Sequence, residues 1–130
     1  MTPQEFATRA VGLPWQRWQA SWDCMDCFGL LVLYHREVMG IDLGGPLQSY
    51  ISTGHAGADG WQECAAEPGA VCFMMWQNGA PTHCGLLMPG AMVLHSEGMD
   101  DRPGSVRITR LAAMQRTYGE IIFYRYTPKC

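Results

Sequence analysis

Three residues of this chain have types and spacing that suit thiol chemistry: Cys27, His83 and His95. Cys27 sits in the run Asp26-Cys27-Phe28-Gly29-Leu30, at the head of an apolar segment. A thiol at a helix N-terminus faces unpaired backbone N–H groups and the positive end of the helix dipole. Both favour thiolate, and cysteines so placed have pKa values of about 3.5 to 7.5 against about 8.5 for a free thiol. The same N–H groups can hold a developing oxyanion, so one position offers a nucleophile and part of its oxyanion site. Gly29 allows a neighbouring backbone or a substrate to approach closely.

A thiolate nucleophile needs a base within hydrogen-bond reach and a third group to orient that base. His35 lies eight residues along the same helix, roughly 12 Å of rise from Cys27, so it cannot serve. His55 falls in a Gly-rich stretch and stays open. His83 and His95 bracket a hairpin, Thr82-His83-Cys84-Gly85-Leu86-Leu87 and Met92-Val93-Leu94-His95-Ser96. A loop with an odd number of residues puts both imidazoles on one face, and the three-residue turn Met88-Pro89-Gly90 sets His83 directly opposite His95. In that arrangement His95 holds the ring nitrogen of His83 that the thiol does not use.

Other readings of the same residues stand beside this one. Cys27 could be one more buried thiol acting as a small hydrophobe. Cys24-x-x-Cys27 has the spacing of a redox pair, without the strand that precedes such motifs. A zinc module would draw on Cys24, Cys27, His83 and Cys84, but the adjacency of His83 and Cys84 fits a ligand pair poorly. The expectation is no metal and no cofactor.

The elements that must position these groups follow from pattern. Thr2 as N-cap, Pro3 at the first helical position and Gly12 as a stop mark a helix over residues 3–11. Residues 13–23, with Pro14 and tryptophans at 15, 18 and 22, read as a loop pinned by aromatics. Leu30, Leu31, Leu33, Tyr34 and Val38 follow helical spacing over residues 27–39, capped by Asp26 and ended by Gly40. The last turn, His35-Arg36-Glu37, is expected to face solvent. Residues 44–68 read as loop with one short helix near Leu47–Thr53. Five strands follow, at residues 70–76, 83–88, 91–96, 105–109 and 120–126, with a helical turn over 110–116. Helices first and strands afterwards imply an α+β domain, the long helix packed on an antiparallel sheet of about five strands.

Composition bounds the function. One hundred and thirty residues suit one domain spanning 1–130. The net charge of -3, with nine scattered Lys and Arg, excludes the basic stripe of a nucleic-acid binder. No run approaches the ~18 apolar residues of a membrane span. The opening Met1-Thr2-Pro3-Gln4-Glu5-Phe6 has no basic and apolar regions of a secretory signal, which predicts synthesis and folding in a cytoplasm. The six cysteines, at 24, 27, 64, 72, 84 and 130, then read mostly as buried thiols rather than bridges.

Taken together, these runs resemble the NlpC-like cell-wall cysteine peptidases. That family shares a papain-like core and carries an Asp-Cys-x-Gly-Leu helix opening, a Pro-Gly step before a strand, and a His-x-Gly hairpin whose return strand ends in a second His. The corresponding runs here are Asp26-Cys27-Phe28-Gly29-Leu30, Glu67-Pro68-Gly69-Ala70-Val71, His83-Cys84-Gly85-Leu86-Leu87 and Val93-Leu94-His95. The resemblance covers roughly residues 6 to 126. It implies Cys27 as nucleophile, His83 as base, His95 as orienting residue, and a peptidoglycan stem peptide as substrate, cut after γ-D-glutamate in many members. Cys24 lacks the Gly-Leu that follows the family's nucleophile.

It further implies oxyanion and substrate-binding roles for Trp15, Asp26, Phe28 and Trp22, with Trp18 and Trp61 as further groove residues. Trp15 stands where the family often has an oxyanion-assisting Tyr, and its indole N–H is the available donor. Phe28 replaces a Ser, and Ala70 replaces an Asp. The members associated with bacteriophage tails are similar in more detail. They have an aromatic residue after the Cys and a helix end like Tyr34-His35-Arg36-Glu37-Val38-Met39-Gly40-Ile41. The resemblance therefore implies a virion tail component, made in a bacterial host and acting at its wall, with other tail-tip proteins as partners. The rival it leaves open is a structural tail-tip or tail-assembly protein with the same fold and little hydrolase activity. An acyltransferase or amidase on the same scaffold is a third.

Overall fold

The structure is a computed structural model that describes residues 1–43 and 60–128. The expected short helix near Leu47–Thr53, His55 and Cys130 lie outside the described residues.

The chain begins with α1 (Pro3–Ala10), which starts where the sequence says it must. Thr2 and Glu5 form a reciprocal capping box, with Glu5 N–H donating to Thr2 Oγ1 at 3.1 Å and Thr2 N–H to Glu5 Oε1 at 2.9 Å. Phe6, Ala7 and Ala10 face the core. A loop follows, returning through isolated bridges Pro14–Ser105 and Ala20–Met25. The second helix, α2 (Cys27–Tyr34), is capped by Asp26 and runs on into a π-helical turn (His35–Met39) that Gly40 closes in the left-handed region.

His35 corrects one expectation. It is buried, at 2% exposure, because it falls on the stripe Phe28, Leu31, His35 that faces the core. Its polar type suggested solvent, but its position on the helix decided otherwise. The ring is satisfied inside, with Nδ1 2.7 Å from the Leu31 carbonyl.

The sheet has six antiparallel strands rather than about five, in the order β1-β6-β2-β3-β4-β5. These are β1 (Trp61–Glu63), β2 (Val71–Gln77), β3 (Ala80–Met88), β4 (Met92–Met99), β5 (Arg102–Arg110) and β6 (Ile121–Tyr126). The extra strand, β1, is three residues long, too short to show alternation, and pairs Trp61 with Tyr126. Helix α3 (Leu111–Tyr118) links β5 to β6.

The two faces of the sheet bury different things. On one, α2 brings Phe28, Leu30, Leu31 and Leu33 against Val71, Phe73, Cys84, Leu86, Leu94 and Val106. On the other, α3 brings Met114 against Ala70, Cys72, Met74, Leu87 and Val93. Among the described residues no helix is long and apolar enough to cross a membrane.

Candidate active site

The site forms where the sheet comes apart. The β3–β4 ladder runs from Met88–Met92 only to Leu86–Leu94. Leu87 bonds towards the β2 side through the Ala70 and Gly69 backbone, so the alternate residues Leu86 and Cys84 direct their backbone groups towards β4. At Cys84 that ladder is over. The segment Met25–Cys27 occupies the gap: Ser96 Oγ donates to the Met25 carbonyl at 2.7 Å, and the Cys84 backbone N–H donates to the Cys27 sulfur. This wedge explains how a helix on one face of the sheet reaches His83, whose neighbours Cys84 and Leu86 point to that helix while His83 points away.

Asp26 fixes the head of α2. Oδ1 accepts from Gly29 N–H at 2.7 Å and Oδ2 from Trp18 N–H at 2.7 Å, tying the aromatic loop to the first helical turn. Gly29 has no substitute here, because a Cβ would lie 1.9 Å from the Gln19 carbonyl oxygen. Burial, with the Cys27 charge beside it, pushes the Asp26 carboxyl up to about 6.

Cys27 is half-buried, and its pKa is held well below the ordinary thiol value. The Cys84 thiol hydrogen-bonded to it has the largest effect, followed by the hydrogen bond and charge of His83 and the Cys84 N–H, all against the burial penalty. The other buried thiols go the opposite way. Burial pushes Cys72 up to about 12, and Cys84 rises well above its usual value through burial and the neighbouring Cys27.

The two imidazoles meet as a chain. His83 Nε2 lies 3.1 Å from His95 Nδ1, and His95 Nε2 lies 2.9 Å from Thr109 Oγ1. The rings are nearly perpendicular, at 83° with centroids 5.3 Å apart. With Nε2 of His83 committed to His95, Nδ1 is the nitrogen that faces Cys27. Burial, then the nearby His83, pushes His95 down to about 4, so it is neutral above that pH. A neutral His95 that accepts at Nδ1 carries its proton on Nε2 and donates it to Thr109.

The register differs from the expected one. The hairpin loop is the odd-numbered Pro89-Gly90-Ala91, with Gly90 and Ala91 both at positive φ, not Met88-Pro89-Gly90. Its parity keeps His83 and His95 on one face, but the shift sets His95 level with Gly85, diagonal to His83 rather than opposite. A Cβ on Gly85 would lie 2.8 Å from Val93 Cγ1 and 3.1 Å from His95 Cβ, so a side chain there would press on both neighbours.

A groove of about 710 Å³ opens over these groups. Trp15, Trp18, Asp26, Cys27, His83, Glu97 and Tyr118 are among its lining. Trp15 is seated on Gly98, where a Cβ would meet its Cγ at 2.6 Å. Phe28 and Trp22 correct the sequence reading, because neither lines the groove. Phe28 is buried at 1% exposure under α2. Trp22 lies beside Phe6 and Glu37, its indole N–H donating to Glu37 Oε1 at 2.8 Å and Arg9 stacked on its ring. Trp61 is a core residue, at 3% exposure. Asp26 lines the groove, yet as a carboxylate with both oxygens occupied it is a cap, not an oxyanion donor. Cys24 points to Gln16 Oε1 at 3.5 Å. Among the described residues no cluster of three or more His, Cys, Asp or Glu has metal-site geometry.

Sequence pattern did not single out three residues of the site: Glu97 and Tyr118 in the groove, and Thr109 behind His95. Thr109 was hidden in an unremarked strand position, although its pairing with Val93 across β4–β5 places it two residues from the level of His95. Glu97 follows His95 by two on β4 and so shares its face. Tyr118 ends α3 beyond the turn expected over 110–116, and no local pattern points to it.

The fold is that of NlpC/p60 domains. The NlpC/p60 domain of the peptidoglycan hydrolase SagA superposes with a TM-score of 0.63 at 18% identity, covering 92% of this chain and 93% of that one. A lipoprotein-like NLP/P60 protein of Staphylococcus aureus subsp. aureus Mu50 gives 0.66 at 20% identity, over 98% of this chain and 40% of that one. NlpC1 of Trichomonas vaginalis gives 0.67 at 16% identity, over 94% and 41%. The chain thus spans nearly all of the first and about two fifths of the other two. No protein-family model and no curated protein sequence matches it.

Proposed function

We propose that this chain is a cysteine peptidase that hydrolyses amide bonds in peptidoglycan stem peptides, with Cys27 as nucleophile, His83 as acid and base, and His95 as the orienting residue. The observation that carries the reading is the meeting of a capped-helix thiol of lowered pKa with the His83–His95–Thr109 chain in one groove. SagA, whose domain shares the fold, is a peptidoglycan hydrolase.

In this mechanism the Cys27 thiolate attacks the scissile carbonyl carbon. The developing oxyanion faces the Cys27 N–H, which as the first helical position lies outside the helix's own ladder. His83 Nδ1–H protonates the leaving amine, and the C–N bond breaks to leave a thioester. His83 then takes a proton from water, whose oxygen attacks the thioester and frees the acid. Throughout, His83 Nε2–H donates to His95, which keeps the ring in one orientation. Trp15 and Trp18 flank the bound peptide. Arg17 and Arg107 are paired with Asp100 and Glu97, but Arg102 has no ion pair among the described residues and suits a substrate carboxylate such as those of stem peptides.

The setting is part of the proposal: a phage or phage-like tail component, made in the host cytoplasm and acting at the wall with other tail-tip proteins. The alternative is a tail-tip structural protein. Incubation with purified stem peptides tests the enzyme. Wild-type protein releases new amino termini, and Cys27→Ala releases none. Equal release by both ends the peptidase reading. Fast alkylation of Cys27 near pH 6, ahead of the other thiols, separates an enzyme from a purely structural protein.

A further inference from the structure

The His83–His95–Thr109 chain contains no negative charge. When His83 is protonated after Cys27 has given up its charge to the acyl group, His95 accepts its hydrogen bond but cannot balance its charge. An anion nearby would stabilise that state in a partly buried site.

Glu97 stands where such an anion is needed. The β3–β4 register, continued past its last ladder pair, brings Glu97 level with His83 across the split. Glu97 also follows His95 by two on β4, so its side chain leaves the same face. Its carboxylate accepts a hydrogen bond from the Tyr118 phenol. Tyr118 in turn lies over the His83 ring, with centroids 4.7 Å apart and planes 32° apart, and meets His95 edge-on at 6.4 Å. One residue from α3 therefore covers the imidazole face and holds the carboxylate beside it. Arg107 of β5 approaches the other Glu97 oxygen at 3.5 Å, an exposed pairing. Burial opposes ionisation of Glu97, but the Tyr118 hydrogen bond, with the Arg107 guanidinium and any positive charge on the histidines behind it, holds its carboxyl below the usual value.

We propose that Glu97, held by Tyr118, is the anionic positioning residue of this site, stabilising the protonated His83 that a neutral third histidine leaves uncompensated. This rests on the peptidase reading above. The charged and titratable groups facing His83 are Cys27 and Asp26 from the head of α2, Cys84 from β3, His95 and Glu97 from β4, Arg107 from β5 and Tyr118 from α3. Of the two carboxylates, Asp26 is held by backbone N–H groups of its own helix head and of the aromatic loop. Glu97 alone is aimed by a side chain that also stacks on the ring.

The test is the pH profile of stem-peptide hydrolysis and of Cys27 alkylation by iodoacetamide. Glu97→Gln keeps an acceptor for Tyr118 and removes the charge. It is expected to move the alkaline limb of kcat down by about half a unit to one unit, the order expected from one nearby opposite charge at a partly exposed site. The value of kcat on that limb falls about three- to tenfold, with KM within about twofold of wild type, because no substrate contact is removed. Arg107→Met, which frees Glu97 from its competing cation, moves the limb the other way. Tyr118→Phe keeps the stack, loses the hydrogen bond, and gives a smaller displacement than Glu97→Gln.

Fast alkylation of wild-type Cys27 with a Glu97→Gln limb that overlays wild type overturns this proposal alone. So does a loss of activity in Glu97→Gln that is uniform across pH. A wild-type Cys27 that alkylates no faster than Cys24 and releases no amine overturns the peptidase reading itself.

Discussion

The two ends of one helix make the instructive contrast. α2 begins at Cys27 and runs into the turn that starts at His35, and both ends bury polar groups. At the far end His35 bonds a single carbonyl within its own helix and is caged by Tyr34, Trp61 and Tyr126 at centroid distances of 5.7, 6.2 and 6.3 Å. Burial lowers its pKa, and no thiol or second imidazole is among the described residues that cage it. At the near end a thiol, an imidazole, a phenol and a carboxylate share one opening to solvent, with a buried second imidazole and a hydroxyl behind them. A buried histidine is therefore no sign of chemistry by itself. What separates the ends is a chain of groups that can pass a proton and a groove that admits a substrate.

The largest effect that would break this contrast is on turnover. His83→Ala should lower kcat/KM for stem peptides by about a thousandfold or more, as loss of the base does in catalytic triads. His35→Phe, which keeps the aromatic cage, should leave kcat/KM within about twofold of wild type. Steady-state assays of both variants measure this. A His35 variant as damaged as the His83 one would erase the distinction.

An intermediate effect concerns the helix head as structure. Asp26→Ala removes an N-cap that also holds Trp18, and should cost about 1–2 kcal/mol in denaturant unfolding. Thr2→Ala, the equivalent change at the exposed cap of α1, should cost about 0.5–1 kcal/mol. If the two lie within error of each other, the tie to Trp18 adds nothing to the fold.

The smallest effect is on the pH dependence of stability, and its sign differs between the ends. The Asp26 pKa is raised from 3.8 to about 6, so its contribution is fully present below 3.8 and is lost as pH rises through about 6. The pKa of His35 is lowered from 6.5, so the unfolded chain takes up the proton first, and stability is lost as pH falls below 6.5. Denaturation midpoints between pH 4 and 7 should show Asp26→Asn removing a decline towards neutral pH. His35→Phe should remove a decline towards acid. Parallel slopes in both variants would contradict the burial argument.

Much of the architecture was legible because its causes are local. The Thr2 cap, the Asp26 cap and the Gly40 stop each depend on residues within one turn. Alternation and turn residues located five of the six strands, and β1 escaped because three residues carry no period. Loop parity placed both imidazoles on one face, although the turn itself was misplaced by one residue. Side-chain type misled where position on the helix ruled. Phe28 and His35 lie on the buried stripe of α2, and Trp22 packs against α1.

The sequence by itself determined the groups whose surroundings are made by their immediate neighbours: a thiol at a capped helix head, and two histidines sharing a strand face. Only the tertiary structure decided that they meet. That meeting depends on Met25–Cys27 filling the gap where β3 and β4 separate, and on Thr109, Glu97 and Tyr118 arriving from three different elements. Spacing within β4 puts Glu97 on the face of His95, but the arrival of Thr109 and Tyr118 there is set by packing between segments distant along the chain, which no local spacing encodes.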